Sequence, residues 1–452
     1  MSKKIRYSDI SKKLIALDLL VPQNNEQEYC EKNRIFFSRN PNGSRVFCSY
    51  GLSSDFKNVK IELNVHSGAG KDPRNKEGAH HLLEHLMFDK GLRDLLIANN
   101  VASNASTSED KVQFYIEGLN SLNYKNYGVP AVIDSCYNQF VNPSGINNKS
   151  FLFYEKKVIE KEIDEYNSNF YRVCEKHFDE FIFNEGSFVR QNILGTYKTL
   201  DSIKSADLHK LILKYFNANN VSLLIKGEGK KQEMYYLFNI LNKKAKKLDN
   251  QGLNTIEVYV KDPKIKNFEA FNYLETKNEL VKNNLCRVGF VSKFNEEIFS
   301  AKEFAFFALK MYLDKIYIEK IRDKGLVYSG YVDSYSFYTG EQILFTSGFV
   351  SSKIADDIAE KMVKEFNTLL KNLLKTKRLD LFYNEFKLSI MATPLSFNSK
   401  ITDFYLYYRL FDLLPNSFNL RKKRYDFTIK DLYEVAYKLL ETKKVLYKIG
   451  DF

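Results

Sequence analysis

Residues 78–88 read Gly-Ala-His-His-Leu-Leu-Glu-His-Leu-Met-Phe, and within them His81, Glu84 and His85 stand at positions i, i+3 and i+4. On a helix these three share one face. Two imidazoles and a carboxylate then converge on one point, while Leu82, Leu83, Leu86 and Met87 are left to pack elsewhere. Imidazole nitrogen is a favoured zinc ligand. A carboxylate beside a metal that it does not ligate can take a proton from water held there. The competing reading is a pair of core histidines beside a surface glutamate. Histidine is scarce, six in 452 residues, so the pattern is not a by-product of abundance.

A catalytic zinc takes three protein ligands and keeps one position open. The motif supplies two, so a third must come from elsewhere. Residues 155–163 read Glu-Lys-Lys-Val-Ile-Glu-Lys-Glu-Ile. Glu155 and Glu162 are two helical turns apart and fall on one stripe. Val158 and Ile159 lie near that stripe and can hold it against a core. Taken alone, the segment is equally an ordinary charged helix with i,i+4 pairing.

The order H-x-x-E-H is the inverse of H-E-x-x-H and marks a class of zinc peptidase. Gly78 through Phe88, followed downstream by E-x-x-V-I-x-x-E-I, resembles the pitrilysin-type (M16) metallopeptidases. The resemblance implies zinc held by His81, His85 and Glu162, with Glu84 as general base and Glu155 as a supporting catalytic carboxylate. Asn104-Ala105-Ser106-Thr107 resembles the family's N-A-x-T strand, and Asn104 and Ala105 are the implied peptide-binding residues. Leu194-Gly195, Ser202-Ile203 and Tyr215-Phe216-Asn217-Ala218-Asn219-Asn220 resemble the end of its first domain. Arg322-Asp323-Lys324-Gly325-Leu326-Val327-Tyr328 resembles the R-x-x-x-G-L-x-Y segment of its second, with one residue fewer between Arg322 and Gly325. There an Arg and a Tyr hold substrate, so Arg322 and Tyr328 inherit that role.

Composition sets the frame for these residues. A chain of 452 residues predicts two or more domains. Hydrophobic content of 44%, with 15% aromatic, is enough for cores and argues against wholesale disorder. Net charge is +12, yet the lysines are scattered among acidic neighbours and no recognition motif accompanies them, so no nucleic acid is expected. The five cysteines, Cys30, Cys48, Cys136, Cys174 and Cys286, are odd in number and never in C-x-x-C. They read as reduced thiols. Cys174 and His177 find no second pair to complete a metal site. No run approaches eighteen apolar residues and the N-terminus has no apolar signal core, so a soluble, cytoplasmic protein with no membrane span is expected.

The positioning elements fall into two halves. In the first, Val59–Val65 alternates as a strand. Gly68, Gly70 and Pro73 break it, and the helix of the histidines follows. Strands are expected at Val112–Ile116 and Val221–Ile225, the latter ending at Gly227. Helices are expected at Asn147–Asn169, Ser205–Tyr215 and Lys231–Leu241. Residues 243–255 read as a polar linker. In the second half, Arg287–Val291, Ser329–Tyr338 and Glu341–Val350 read as strands, the last two joined at Thr339-Gly340. Ala301–Ile321, Ile354–Leu374, Leu379–Met391 and Ile429–Leu440 read as helices. The recurring order suggests two related α+β domains, residues 1–242 and 256–452. The resemblance implies mainly antiparallel sheets packed with helices, facing each other around a peptide cleft. All six histidines lie in the first half, so any chemistry at a His-based site is there. His66, at a strand end, and His80, out of register with His81 and His85, are read as structural.

The expected function is a zinc-dependent endopeptidase acting on peptides or unfolded segments. Alternatives are a maturation peptidase removing a leader from a small peptide, and a non-catalytic peptide-binding subunit. A homodimer, or a heterodimer with a related chain, is the expected assembly.

Overall fold

The computed structural model describes residues 20–51, 58–120, 127–190, 192–227, 229–250, 263–277, 285–297, 300–337, 340–392, 414–415 and 426–450, with Lys12, Ile15 and Ala16. The strands run β1 (Leu20–Val21), β2 (Ile35–Arg39), β3 (Arg45–Ser49), β4 (Asn58–Val65), β5 (Ala102–Thr107), β6 (Val112–Leu119) and β7 (Val221–Gly227). They continue with β8 (Tyr273–Lys277), β9 (Leu285–Asn295), β10 (Ser329–Ser336), β11 (Glu341–Ser351), β12 (Leu414–Pro415) and β13 (Val445–Gly450). The chain divides into two compact units, each built on one sheet.

The first unit holds the order β2-β3-β7-β4-β6-β5. Only β3 and β7 run parallel; the other pairs are antiparallel. Alternation decides the faces. Val59, Ile61, Leu63 and Val65 of β4 and Val112, Phe114 and Ile116 of β6 enter one core. Leu82, Leu83 and Leu86 of helix Ala79–Leu86 fill the same core, which docks the histidine helix on the sheet.

The second unit holds the order β10-β11-β9-β13-β8, with β8 and β13 parallel and the rest antiparallel. Strand for strand, β8, β13, β9, β11 and β10 repeat the arrangement of β3, β7, β4, β6 and β5. The expectation of two related α+β units, each a mainly antiparallel sheet with helices, is met. Helix Ala301–Asp323 occupies the same place between β9 and β10 that helix Ala79–Leu86 occupies between β4 and β5. It carries Phe304, Ala308 and Leu309, with Leu313, Tyr317 and Ile321, into its own core.

The units do not follow the halves read from the sequence. Residues Glu165–Arg190 belong with the second unit. Helix Phe170–Ile182 buries Phe170, Val173, Cys174, Phe178 and Ile182 against Val291, Phe345 and Tyr447 of the second sheet. An amphipathic pattern fixes which face of that helix is buried, not which sheet receives it. The expected linker at 243–255 begins late, because helix Lys231–Ala245 continues to Ala245. Residues 251–255 lie outside the described residues, as do 338 and 339 of the turn before Gly340. The remaining expected strands and helices stand within a few residues of their places, β9 and β6 being longer than read. Among the described residues, no helix is long and apolar enough to cross a membrane.

Candidate metal centre

Helix Ala79–Leu86 begins at Gly78, whose φ of +92° places it in the left-handed region. A side chain there would be strained, and its Cβ would lie 2.6 Å from the Leu194 carbonyl oxygen. The cap comes from upstream. Asp72 Oδ2 accepts from the amides of Gly78 at 2.8 Å and Ala79 at 3.1 Å. Its Oδ1 accepts from the His80 amide at 3.0 Å and from His80 Nδ1 at 2.6 Å. A carboxylate at a helix N-terminus satisfies orphan amides and meets the positive end of the helix dipole. With Nδ1 carrying the proton, His80 Nε2 accepts from Ser67 Oγ at 2.9 Å. His80 has no exposed surface. It ties strand end, cap and helix together, as a structural histidine should.

One residue on, His81 and His85 meet edge to face one turn apart, with ring centroids at 4.8 Å. Glu162 meets both from helix Lys149–Ser168, whose Ile159 and Ile163 anchor it in the first core. Its two carboxylate oxygens lie 3.7 Å from His81 Nε2 and 3.5 Å from His85 Nε2. Two donors bound to one tetrahedral zinc, each at about 2.0–2.1 Å, sit about 3.4 Å from each other. The separations therefore fit a shared ion, and the three ligand atoms all lie within 4.8 Å of one another. Among the described residues this is the one His/Cys/Asp/Glu group with that property. Two imidazoles with one carboxylate are also a known catalytic zinc set. Cys174 is instead buried in the second unit, and His177 Nδ1 pairs with Glu180 at 3.1 Å.

Glu155 stands behind His85. Its Oε2 accepts from His85 Nδ1 at 3.0 Å, which turns Nε2 toward Glu162. Its Oε1 accepts from Arg93 at 3.2 Å, and Arg93 Nε donates to the Phe88 carbonyl at 2.6 Å. Such a partner on the far ring nitrogen fixes the tautomer and the aim of a ligand histidine. Arg93 carried no signal in the sequence, since nothing about its spacing ties it to Glu155. Glu84, on the same helix as the histidines, accepts a 2.6 Å hydrogen bond from Thr107 Oγ1 at the end of β5.

The electrostatics separate the groups. Burial, aided by the neighbouring His85, pushes His81 down to about 4, so its ring is neutral. Burial also opposes charge on His85, but hydrogen bonds to Glu155 and Glu162 and the charges of Glu162 and Glu84 outweigh it, lifting His85 to about 9. The hydrogen bond from His85 holds Glu162 below the usual carboxylate range. Burial raises Glu84, against the lowering effect of Thr107 and His85.

A pH dependence follows for the metal-free chain. At neutral pH a proton on His85 supplies the positive charge between Glu155 and Glu162, and a zinc ion bound there would have to displace it. Zinc affinity is expected to fall about tenfold per unit as pH drops below about 9. Competition with a chromophoric chelator between pH 6 and 9 measures it, and a flat profile would remove the proton from His85. For folding without metal the same shift acts oppositely. The His85 contribution is full below its ordinary 6.5 and is lost as pH rises through about 9.

Asn104 and Ala105 sit on β5, the edge strand of the first sheet, paired to β6 on one side. The Ala105 amide donates to Asn104 Oδ1 at 2.9 Å. An edge strand offers main-chain groups to an added strand. Arg322 and Tyr328 lie in the second unit. Arg322 is in the last turn of helix Ala301–Asp323, exposed, and Tyr328 precedes β10 with 88% of its surface exposed.

Residues 52–194 match the family model described as Insulinase (Peptidase family M16). No curated protein matches the chain. Among solved structures, a protease from Helicobacter pylori is similar with a TM-score of 0.68 at 16% identity, over 92% of this chain and 99% of that one. The periplasmic protease PqqL from Escherichia coli is similar with a TM-score of 0.71 at 13% identity, over 95% of this chain and 48% of that one. A peptidase M16 inactive domain from Pseudomonas fluorescens is similar with a TM-score of 0.68 at 14% identity, over 92% and 98%. At such identities the likeness to these structures is one of fold. With the family match over residues 52–194, the M16 resemblance read from the sequence stands.

Proposed function

We propose that this chain, M16-like by family match over residues 52–194 and in fold, is a zinc-dependent endopeptidase acting on peptides or unfolded segments. One observation carries the reading: His81, His85 and Glu162 converge as a ligand set while Glu84 points from the same helix without belonging to it. Zinc bound there would lower the pKa of a water molecule and polarise a peptide carbonyl. Glu84 takes the proton of the attacking water and passes it to the leaving amine. Its burial raises the carboxyl above its ordinary range, which favours a group that must return the proton it accepts. Glu155 and Arg93 keep the His85 ring aimed. Substrate adds as a strand on the outer edge of β5 at Asn104 and Ala105, where main-chain pairing accepts many sequences.

The inactive relative from Pseudomonas fluorescens shows that this fold also occurs without activity. The complete donor set and Glu84 favour the catalytic reading over a binding subunit. The five cysteines, all buried and none in a disulfide, favour a reducing compartment, the cytoplasm. We assign Arg322 and Tyr328 to substrate holding, and a homodimer or a pairing with a related chain to the assembly. Arg322→Ala or Tyr328→Phe should then lower kcat/KM with zinc content and melting temperature unchanged. Unaltered cleavage in both variants would withdraw that assignment.

The test of the function itself is metal analysis of the purified chain with product mapping on unstructured peptides, alone and mixed with a related chain. Zinc at one per chain and cleavage abolished by chelator are expected. A zinc-loaded chain that cleaves none of them would overturn the reading.

A further inference from the structure

We propose that Thr107 is a positioning residue that sets the Glu84 carboxylate in register with a substrate strand lying on β5; this rests on the peptidase reading above. The argument begins with alternation. Along β5, Ser103, Ala105 and Thr107 share the half-buried face, and Ala105 packs on the first core. That face meets helix Ala79–Leu86, and from it the Thr107 hydroxyl reaches the helix. It does so at 2.6 Å from Glu84 Oε2, within the range of a strong hydroxyl-to-carboxylate bond.

The donor is fixed from both sides. Thr107 pairs with Val112 in the β5–β6 ladder. Beyond it, the Ser108 amide closes the turn on the Lys111 carbonyl at 2.9 Å. The turn is itself stitched to the loop before the histidine helix: Ala69 N donates to Ser108 O at 3.0 Å and Gly70 N to Glu109 O at 2.7 Å. Gly68 lies so close that a Cβ there would fall 2.1 Å from Ser108 O. A β-branched side chain adds a stiff χ1. Glu84, by contrast, has three rotatable bonds, and none of the metal ligands restrains its carboxylate. Thr107 supplies the restraint, and it takes that restraint from the strand on which substrate would pair. Binding and base alignment are thereby coupled through one hydroxyl.

Thr107→Val keeps the shape and the β-propensity and deletes the donor. Thr107→Ser keeps the donor. With the zinc-loaded chain and an unstructured peptide, Thr107→Val is expected to lose kcat on the order of 10²-fold, as a misplaced catalytic group does. KM should hold, since the main-chain edge is intact, and zinc content and melting temperature should match wild type. Thr107→Ser should recover most of the rate. Wild-type kcat in Thr107→Val would overturn the proposal. So would a loss that appears in KM or zinc content, or a serine variant as slow as valine. A zinc-loaded wild-type chain without cleavage defeats the peptidase reading and this inference with it, whereas an active wild type with an equally active Thr107→Val defeats this inference alone.

Discussion

Glu84→Gln is expected to retain zinc and to lose hydrolysis by about 10²–10⁴-fold. The amide has the size and shape of the carboxylate, and its oxygen can still accept from Thr107. Helix Ala79–Leu86 is held by the Asp72 cap and by Leu82, Leu83 and Leu86 in the core, none of which the substitution touches. What disappears is a basic oxygen. Glu84 is also one of the charges that raise His85, so its loss eases the proton that competes with zinc. Metal content should therefore be unchanged or slightly tighter at neutral pH. Metal analysis beside single-turnover cleavage separates the two effects. Near wild-type cleavage with zinc bound would mean that Glu84 has another task.

The parts of the site that were legible in the sequence are those set by local spacing. Helical geometry puts His81, Glu84 and His85 on one face whatever the fold, and it puts Glu155 and Glu162 on one stripe. That the two stripes meet was read from a family resemblance, because no local rule joins residue 85 to residue 162. The supports were hidden for the same reason. Asp72 caps a helix from six to eight positions upstream, across a loop, while the usual cap position is filled by Gly78. Arg93 reaches Glu155 from another helix. Thr107 stood in a quoted strand motif, but its hydroxyl partner is visible only once β5 lies beside the histidine helix.

The fold divides along the same line. β4, β6, β9 and β11 were read; β6 alternates, while β9 and β11 are buried on both faces. β8 and β13 pair in parallel although residues 277 and 445 are far apart in the chain, and parallel neighbours leave no turn signal between them. Helix Phe170–Ile182 has an apolar stripe of ordinary form, yet its sheet is the second one. Periodicity tells that a face is buried and is silent about the receiver.

Ligand and support can be told apart by charge removal at Glu162 and Glu155. Glu162→Gln should weaken zinc the more, because a neutral amide oxygen replaces a carboxylate that faces both Nε2 atoms. Glu155→Gln acts one atom shell further out, where such losses run to about 10–100-fold. A second consequence distinguishes them. Glu155 also holds the proton on His85, first in rank among the contacts that raise it. Its neutralisation lowers the His85 pKa, so less proton competes with zinc near pH 7, while near pH 9 there was little competition to relieve. The zinc loss of Glu155→Gln should therefore be smaller at pH 7 than at pH 9. Chelator competition at the two pH values reads this directly. Equal loss at both would take Glu155 away from the His85 proton, and a greater loss in Glu155→Gln than in Glu162→Gln would exchange the two roles.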